Sequence, residues 1–556
     1  MPQAKDLREK LQKMRREAEE RDAQRRAAKL KYPYIDPRTA PINIEALSLI
    51  PQEEAEITKL AVIEIKQKNL AIAIYDPLVP ETKKITDSLI AKGYNLSFLI
   101  SSLSGLKAIW DFYRFVPKAK ERITGQIRLE RTRLNELRKS LTSLENIKRA
   151  LEKVGADSAY TAQVLEIVLA GSLSNRASDI HFEPKEKRVK LRIRIDGLLY
   201  DVWEELSHSA YNPILSRIKL LSGLKINVHD EPQDGRFSIS LPEKTIEIRT
   251  SVMPSEFGEA IVLRILDPET IRLSIKDLGF REDDLEIIQK ELVRPNGAIL
   301  NTGPTGSGKT TTLYTFLSHV QTPETKIITI EDPIEYHLGG IEQTQVNPEV
   351  GYTFASGLRS ALRQDPDTIL IGEIRDLETA EIAMHSALTG HLVFSTLHTN
   401  DASGAIPRLL DLGVKSQIVA PALNIVIAQR LVRRLCEFCK EPIEISSGLK
   451  ERVEKFLNKL PGRVNKESFK NFQIFKPKGC EQCNHLGYKG RIAIFEMLLV
   501  TDKMKDLISR EPIETEIKRL AIEEGMITLA QDGILKTLRG VVTSEEVERV
   551  VGALEW

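Results

Sequence analysis

No stretch of this 556-residue chain stays apolar for the ~18 residues needed to span a bilayer. Its richest apolar segment, around Ile418 to Val432, is broken by Asn424, Gln429 and Arg430. No apolar h-region follows the charged residues that begin at Lys5, so the start does not read as a secretory signal. Excess charge is also missing. Lys and Arg number 80 against 79 Asp and Glu, a net charge of +1. A general nucleic-acid binder shows a clear basic excess, so no nucleic-acid partner is expected. Aromatics make up only 6%, which leaves little for base stacking. A cytoplasmic protein is the expectation. Cysteine is scarce too. The four present are Cys436, Cys439, Cys480 and Cys483, in two C-x-x-C pairs. In a reducing compartment that pattern points to metal rather than disulfides.

What the chain has is GPTGSGKTTT, Gly303 to Thr312, which fits G-x-x-x-x-G-K-[ST]. Gly297 to Asn301 before it reads as a buried strand, and Thr311 to Val320 after it as a helix. In that setting the backbone N–H groups of Gly303, Pro304 to Ser307, Gly308 and Thr311 turn around phosphate oxygens at a helix N-terminus (proline at 304 lacking a donor). Lys309 adds a point charge at the β/γ-phosphates, and the Thr310 hydroxyl can ligate Mg²⁺. ATP and Mg²⁺ are the expected ligands.

Three further patterns follow. Ile327 to Glu335 is a strand ending in Glu331, Asp332 and Glu335, candidates for orienting or deprotonating water. Thr368 to Glu373 is a hydrophobic strand closed by an acid, about 60 residues after the P-loop. That is Walker B logic, with Glu373 in the Mg²⁺ shell. Gly390 to Thr399 is a buried strand with polar groups at its end. His398 there is a candidate γ-phosphate contact, and His391 a weaker one.

These motifs together resemble the secretion ATPases of type II secretion and type IV pilus assembly. LRQDPDTILIGEIRD (Leu362 to Asp376), TIEDPIE (Thr329 to Glu335) and GHLVFSTLHTND (Gly390 to Asp401) carry the resemblance, which covers roughly residues 155 to 556. It implies an α/β protein. A RecA-like P-loop core would follow an α+β, PAS-like domain, with a zinc-binding element and a helical C-terminal part. It implies a homohexameric motor, peripheral at the cytoplasmic face of the inner membrane and working on a platform protein. It matches the catalytic glutamate to Glu335, the Walker B acid to Glu373, and arginines of the preceding domain to Arg249 and Arg264. Both arginines lie on the charged face of alternating strands, and Arg192, Arg194 and Arg236 are weaker candidates. The arginines could serve their own subunit's nucleotide or a neighbour's.

The two cysteine pairs are 40 residues apart, wider than in compact ribbons, but four thiolates suit tetrahedral, structural Zn²⁺. Pilus-retraction members lack this element, which favours assembly or secretion. A nucleic-acid-translocating P-loop motor is the alternative function. Some members bind cyclic di-GMP through an RLG-type motif near the N-terminus, and no such motif occurs here.

The expected organisation runs as a charged helical arm (1–42), a small α/β domain (43–117) and a helical linker (118–154). A PAS-like ATPase subdomain (155–280) and the ATPase domain (281–556, zinc element about 436–483) follow. In 1–31, pairs such as Glu9/Lys13 and Glu17/Arg21 favour a solvated helix. In the linker, Ile127, Leu134 and Leu141, and Leu137, Leu144 and Leu151, form a heptad stripe, broken by Glu130 and Lys148, that predicts a helical connector packing its stripe on a neighbour.

Overall fold

From residue 282 onward, short runs of Ile, Leu, Val and Phe alternate with amphipathic helices, and the runs assemble side by side. The computed structural model describes residues 3–36, 42–47, 49–66, 68–91, 93–114, 126–127, 131–154, 161–241, 244–271 and 273–556. The chain divides into two compact units, Met1–Thr124 and Gly125–Trp556.

In the first unit, β1 (Leu60–Lys66), β2 (Asn69–Ile74) and β3 (Asn95–Ile100) form a sheet in that order. Helix Gln3–Leu30 is not simply a solvated arm. Ala23 and Ala27 are buried, and their small side chains let the helix lie close to its neighbours. Arg26 stacks 3.8 Å from the centre of the Tyr75 ring and donates to the Ser101 carbonyl at 3.4 Å. Glu20 accepts from Tyr34 and Ser102 at 2.7 and 2.8 Å. The side chains of the first fifteen residues, including Glu9 and Lys13, lie outside the description.

The second unit opens with a correction to the heptad reading. Ile127 lies in a strand, β4 (Gln126–Ile127), not a helix. The helical part is broken into Arg131–Ser140 and Leu144–Val154. Leu141, Ile147 and Leu151 are buried against helix Thr161–Ser174. The leucine spacing therefore serves a bend onto a local core, with Ser143 turning the chain and accepting from Asn146 N–H. Strands β5 (Asp179–Pro184), β6 (Val189–Ile195), β7 (Leu198–Leu206), β8 (Gln233–Ser240), β9 (Thr245–Ser255) and β10 (Gly258–Leu266) complete a sheet ordered β4-β8-β9-β10-β5-β6-β7. Alternation is strict in β6, where Val189, Leu191, Ile193 and Ile195 are buried and the lysine and arginines between them are not.

The other large sheet is built from β11 (Gly297–Thr302), β12 (Ile327–Glu331), β13 (Glu342–Gln345), β14 (Thr368–Ile371), β15 (Leu392–Leu397), β16 (Leu423–Leu435) and β19 (Tyr488–Leu499). Its order is β13-β12-β14-β15-β11-β16-β19, parallel except for the β16/β19 pair. β11, β12, β14 and β15 are buried along their whole length, as strands covered on both faces must be. Ala298 and Leu300 join one core and Ile299 the opposite one. The parallel arrangement brings the ends of β11, β12, β14 and β15 to one edge, where ligands of such sheets bind. The short pair β17 (Glu441–Pro442) and β18 (Phe475–Lys476) and helix Ser447–Lys459 fill the gap between the cysteine pairs. That explains the wide spacing.

The C-terminal helices are fastened to this sheet by buried ions. Arg281 donates to Asp532 and Asp284 at 2.8 and 2.7 Å, and Arg463 to Asp284 at 2.8 Å. Burial alone would raise Asp532, but Lys536 and Arg281 override it and hold the carboxyl below its ordinary range. Burial pushes Asp284, which shares Arg281, up to about 6. Phe280 stacks on Phe495 with ring centres 3.8 Å apart. Removing one partner of such a network strands the others without water. Arg281→Ala should cost ~3–5 kcal/mol, read by chemical denaturation of the full chain; a loss below ~1 kcal/mol would deny the network this role.

Candidate functional site

The loop after β11 is shaped by what lies behind it. Gly303 has φ 150°, and a Cβ there would lie 2.6 Å from the Gln429 carbonyl oxygen. Gly308 has φ 91°, caps helix Lys309–Val320, and a Cβ on it would meet the Gln429 side chain at 2.8 Å. Gln429, on β16, accepts from Asn301 and Thr312 at 3.0 and 2.8 Å, tying both sides of the loop to the next strand. Pro304, Thr305 and Gly306 form the exposed crest, Ser307 is buried, and Thr310 and Thr311 open the helix.

This loop fits a phosphate chain. The Ser307 hydroxyl is buried with no hydrogen-bond partner. Lys309 Nζ donates to the loop's own Gly303 and Pro304 carbonyls at 2.7 and 3.1 Å, so its charge faces the cradle without a carboxylate bound to it. Burial pushes the Lys309 ammonium down to about 8, with Glu373 pulling it up and Arg430 pushing it further down.

The three acids after β12 separate. Glu331 is buried and accepts from Tyr314, Thr329 and Gln343. These three partners hold it inside the structure, at the end of a strand buried along its whole length. Asp332 is exposed. Glu335 accepts from Arg249 at 2.9 Å, while Arg249 also donates to the Ile334 carbonyl at 2.5 Å.

Arg249 comes from the other sheet, and register explains its neighbours. Arg236 pairs with Arg249, Arg249 with Arg264, Arg264 with Asp179, and Asp179 with Arg194, all directly across adjacent strands. Directly opposed residues share a face, and like charges there repel. Acids relieve the row. Asp179 accepts from Arg264 Nε at 2.9 Å and ion-pairs with Arg194 at 3.3 Å, Glu335 holds Arg249, and Glu247 lies 3.7 Å from Arg236. Arg192 belongs to a different row and pairs with Asp201 at 3.0 Å. Sequence reasoning missed Asp179 and Gln429. Asp179 opens β5 opposite Arg194, a signal legible only once the strands are paired.

Glu373 follows β14, next to the loop after β15. It pairs with Arg375, and His398 Nε2 stands 3.4 Å from its other oxygen. Its charge reaches Lys309, so the P-loop and this acid share one site. His391 sits at the opposite end of β15, bonded through Nδ1 to the Ser386 carbonyl at 3.0 Å, a structural contact.

The four cysteine sulfurs gather at a second place. Cys436 and Cys480 are 3.9 Å apart, and Cys483 lies 3.8 Å from both Cys439 and Cys480. All four lie within 4.8 Å of one another. A tetrahedron of ~2.3 Å metal–sulfur bonds separates sulfurs by ~3.8 Å, so the cluster fits a metal with four thiolate ligands. Cys480 N–H and Gly487 N–H donate to Cys483 Sγ at 3.2 Å, a contact that favours thiolate. Burial and the neighbouring thiols push the Cys436 thiol up to about 12.

Comparisons with known proteins agree with this geometry. The chain is 38% identical over 517 residues to the type IV pilus assembly ATPase PilB of Myxococcus xanthus, covering 93% of this chain and 88% of that one. It is 44% identical over 394 residues to the type II secretion system protein E of Aeromonas hydrophila, covering 71% and 76%. The fold is similar to the Legionella pneumophila ATPase DotB, with a TM-score of 0.51 at 20% identity over 70% of this chain and 95% of that one. A family model described as type II/IV secretion system protein matches residues 155–549. With the P-loop, the two acids at the sheet edge and a match over most of its length, the chain belongs to the type II/IV secretion system protein family, and its chemistry is ATP hydrolysis.

Proposed function

We propose that the chain is a ring-forming, homohexameric ATPase motor that powers type IV pilus assembly or type II secretion, acting on a platform protein at the cytoplasmic face of the inner membrane. Among the described residues no helix is long and apolar enough to cross a membrane, so attachment through partners is the natural mode. The observation that carries the mechanism is the Arg249–Glu335 ion pair, which joins the two large sheets at the site. The relatives are secretion and pilus ATPases, which favours this reading over a nucleic-acid motor.

Gly303 to Gly308 and Thr311 would wrap the phosphates, and Lys309 would neutralise the β/γ oxygens. Mg²⁺, held by Thr310 and Glu373, would add charge neutralisation at the same oxygens. Glu335 then orients or deprotonates the attacking water, and His398 donates to the γ-phosphate. Arg249 and Arg264 act as arginine fingers. While Arg249 grips Glu335, the base is neutralised and the finger is withdrawn. A γ-phosphate that attracts Arg249 frees Glu335 in the same movement, so one rearrangement assembles both groups. That rearrangement shifts one sheet against the other, and a closed ring passes the shift to its neighbours. Zn²⁺ on Cys436, Cys439, Cys480 and Cys483 would be structural, since four protein ligands leave no open position.

Glu335→Gln should bind ATP and hydrolyse it at least ~10²-fold more slowly. Arg249→Ala and Arg264→Ala should lose roughly 10³-fold in turnover with little loss of affinity. Near-normal turnover in Glu335→Gln would transfer the role to Asp332.

Lys309 supplies a pH test. Its ammonium has a pKa of about 8 in the free protein, and bound phosphate must raise it. Below pH ~8 the lysine is charged in both states and affinity is flat in pH; above it, binding takes up a proton, so affinity falls by up to ~10-fold per pH unit. Calorimetry in buffers of different ionisation enthalpy should show that uptake at pH 9, and Lys309→Arg should abolish it.

Freshly purified, unchelated protein should carry about one Zn²⁺ per chain by elemental analysis. Less than half an equivalent, or unchanged content in Cys480→Ser, would remove the zinc assignment.

A further inference from the structure

Beside the catalytic edge lies an open cavity of about 460 Å³, lined by Glu373, Ile374, Arg375, His398 and Arg408. It has room for an anion with its water, since a water molecule takes ~30 Å³. The proposed mechanism uses Glu373 and His398 but leaves both arginines without a task. Arg375 is exposed and paired with Glu373. Arg408, exposed on helix Ala405–Asp411, has no ion pair or side-chain hydrogen bond among the described residues. The lining offers no Phe, Tyr or Trp ring for a base and one aliphatic side chain. It is a polar, cation-rich wall whose single acid is committed to Mg²⁺ in the reading above.

We propose that this cavity is an orthophosphate site, the place where the cleaved phosphate rests after leaving the P-loop. Hydrolysis breaks the bond between the β–γ bridging oxygen and the γ-phosphorus. Water oxygen joins phosphorus, its proton passes to Glu335 and then to solvent, and ADP keeps the bridging oxygen. The product carries about two negative charges beside Lys309, Glu373 and the remaining ADP. Once the bridging bond is broken, the like charge of ADP repels it. The cavity wall holds two guanidinium forks, Arg375 and Arg408, suited to bidentate contact with a tetrahedral oxyanion. His398, which lines the same cavity 3.4 Å from Glu373, can donate to the departing phosphate. Arg408 is the anchor, because its donors are unspent. The site rests on the reading of Glu373 as the Mg²⁺ acid, and its test needs no turnover.

Binding of radiolabelled orthophosphate to the full chain saturated with Mg–ADP, by equilibrium dialysis, reads the site directly. ADP fills the P-loop, so the remaining places for phosphate are the vacated γ-position and the cavity. The wild type should bind about one equivalent, and Arg408→Ala should weaken it ~10-fold or more, the loss expected for one charge-assisted bond. ADP affinity should change less than ~2-fold, which shows that the P-loop is intact. Arg408→Gln, which keeps the stem and drops the charge, should behave as Ala does and covers the case of a poorly folded Ala variant. No saturable binding to wild type below ~10 mM, unchanged binding in both variants, or phosphate and ADP affinities falling together would each overturn the proposal. Loss in Lys309→Ala with Arg408→Ala unaffected would place the phosphate in the γ-position and overturn it as well.

Discussion

The ion pair between Arg249 and Glu335 is the constraint around which the catalytic half is arranged. It spans two sheets that share no strand, and in the proposed mechanism each of its groups has another partner: phosphate for Arg249, water for Glu335. Such a contact is stable only while both are idle. Around it, the row of arginines on β8, β9, β10 and β6 would repel itself apart without Asp179, a buried carboxylate answering two of them. A face built this way is poised for anions. Its acids are few and placed one by one, so displacing any of them releases a guanidinium.

The parallel sheet and its edge were legible from sequence. Runs such as Thr368–Ile371 and Leu392–Leu397 are too short for buried helices, too apolar for surface loops, and closed by polar residues. The P-loop announced itself through spacing, and the cysteine cluster through two C-x-x-C pairs. What failed, failed for want of long-range partners. The heptad over 127–151 read as a helical connector, and its stripe does pack on a neighbour, but periodicity carries no information about a strand at Ile127 or a bend at Ser143. Glu331 looked as available as Glu335, since the partners that bury it, Tyr314 and Gln343, lie outside the motif. The charged N-terminal helix hid its packing face in two alanines, which hydropathy barely registers. Arg408 carried no motif and becomes visible only as a wall of the cavity.

The C-terminal part shows a second use of buried charge. Arg281 and Asp532 join residues far apart in sequence, and Phe280 on Phe495 reinforces the same joint. Among the described residues between β10 and this joint, the regular structure consists of short 3₁₀ turns, Pro268–Ile271 and Ile275–Leu278. The movement proposed between the two sheets would concentrate there.

Gln429 stands behind the P-loop, and the strand that carries it continues to Leu435, one residue short of Cys436, through an irregularity in its pairing between Arg433 and Leu435. An extended strand rises ~3.3 Å per residue, which puts ~20 Å of backbone between the two. One end is braced by the sulfur cluster, and the other is the floor of the nucleotide cradle. The cradle and the cysteine-bearing element are therefore joined by one short length of main chain.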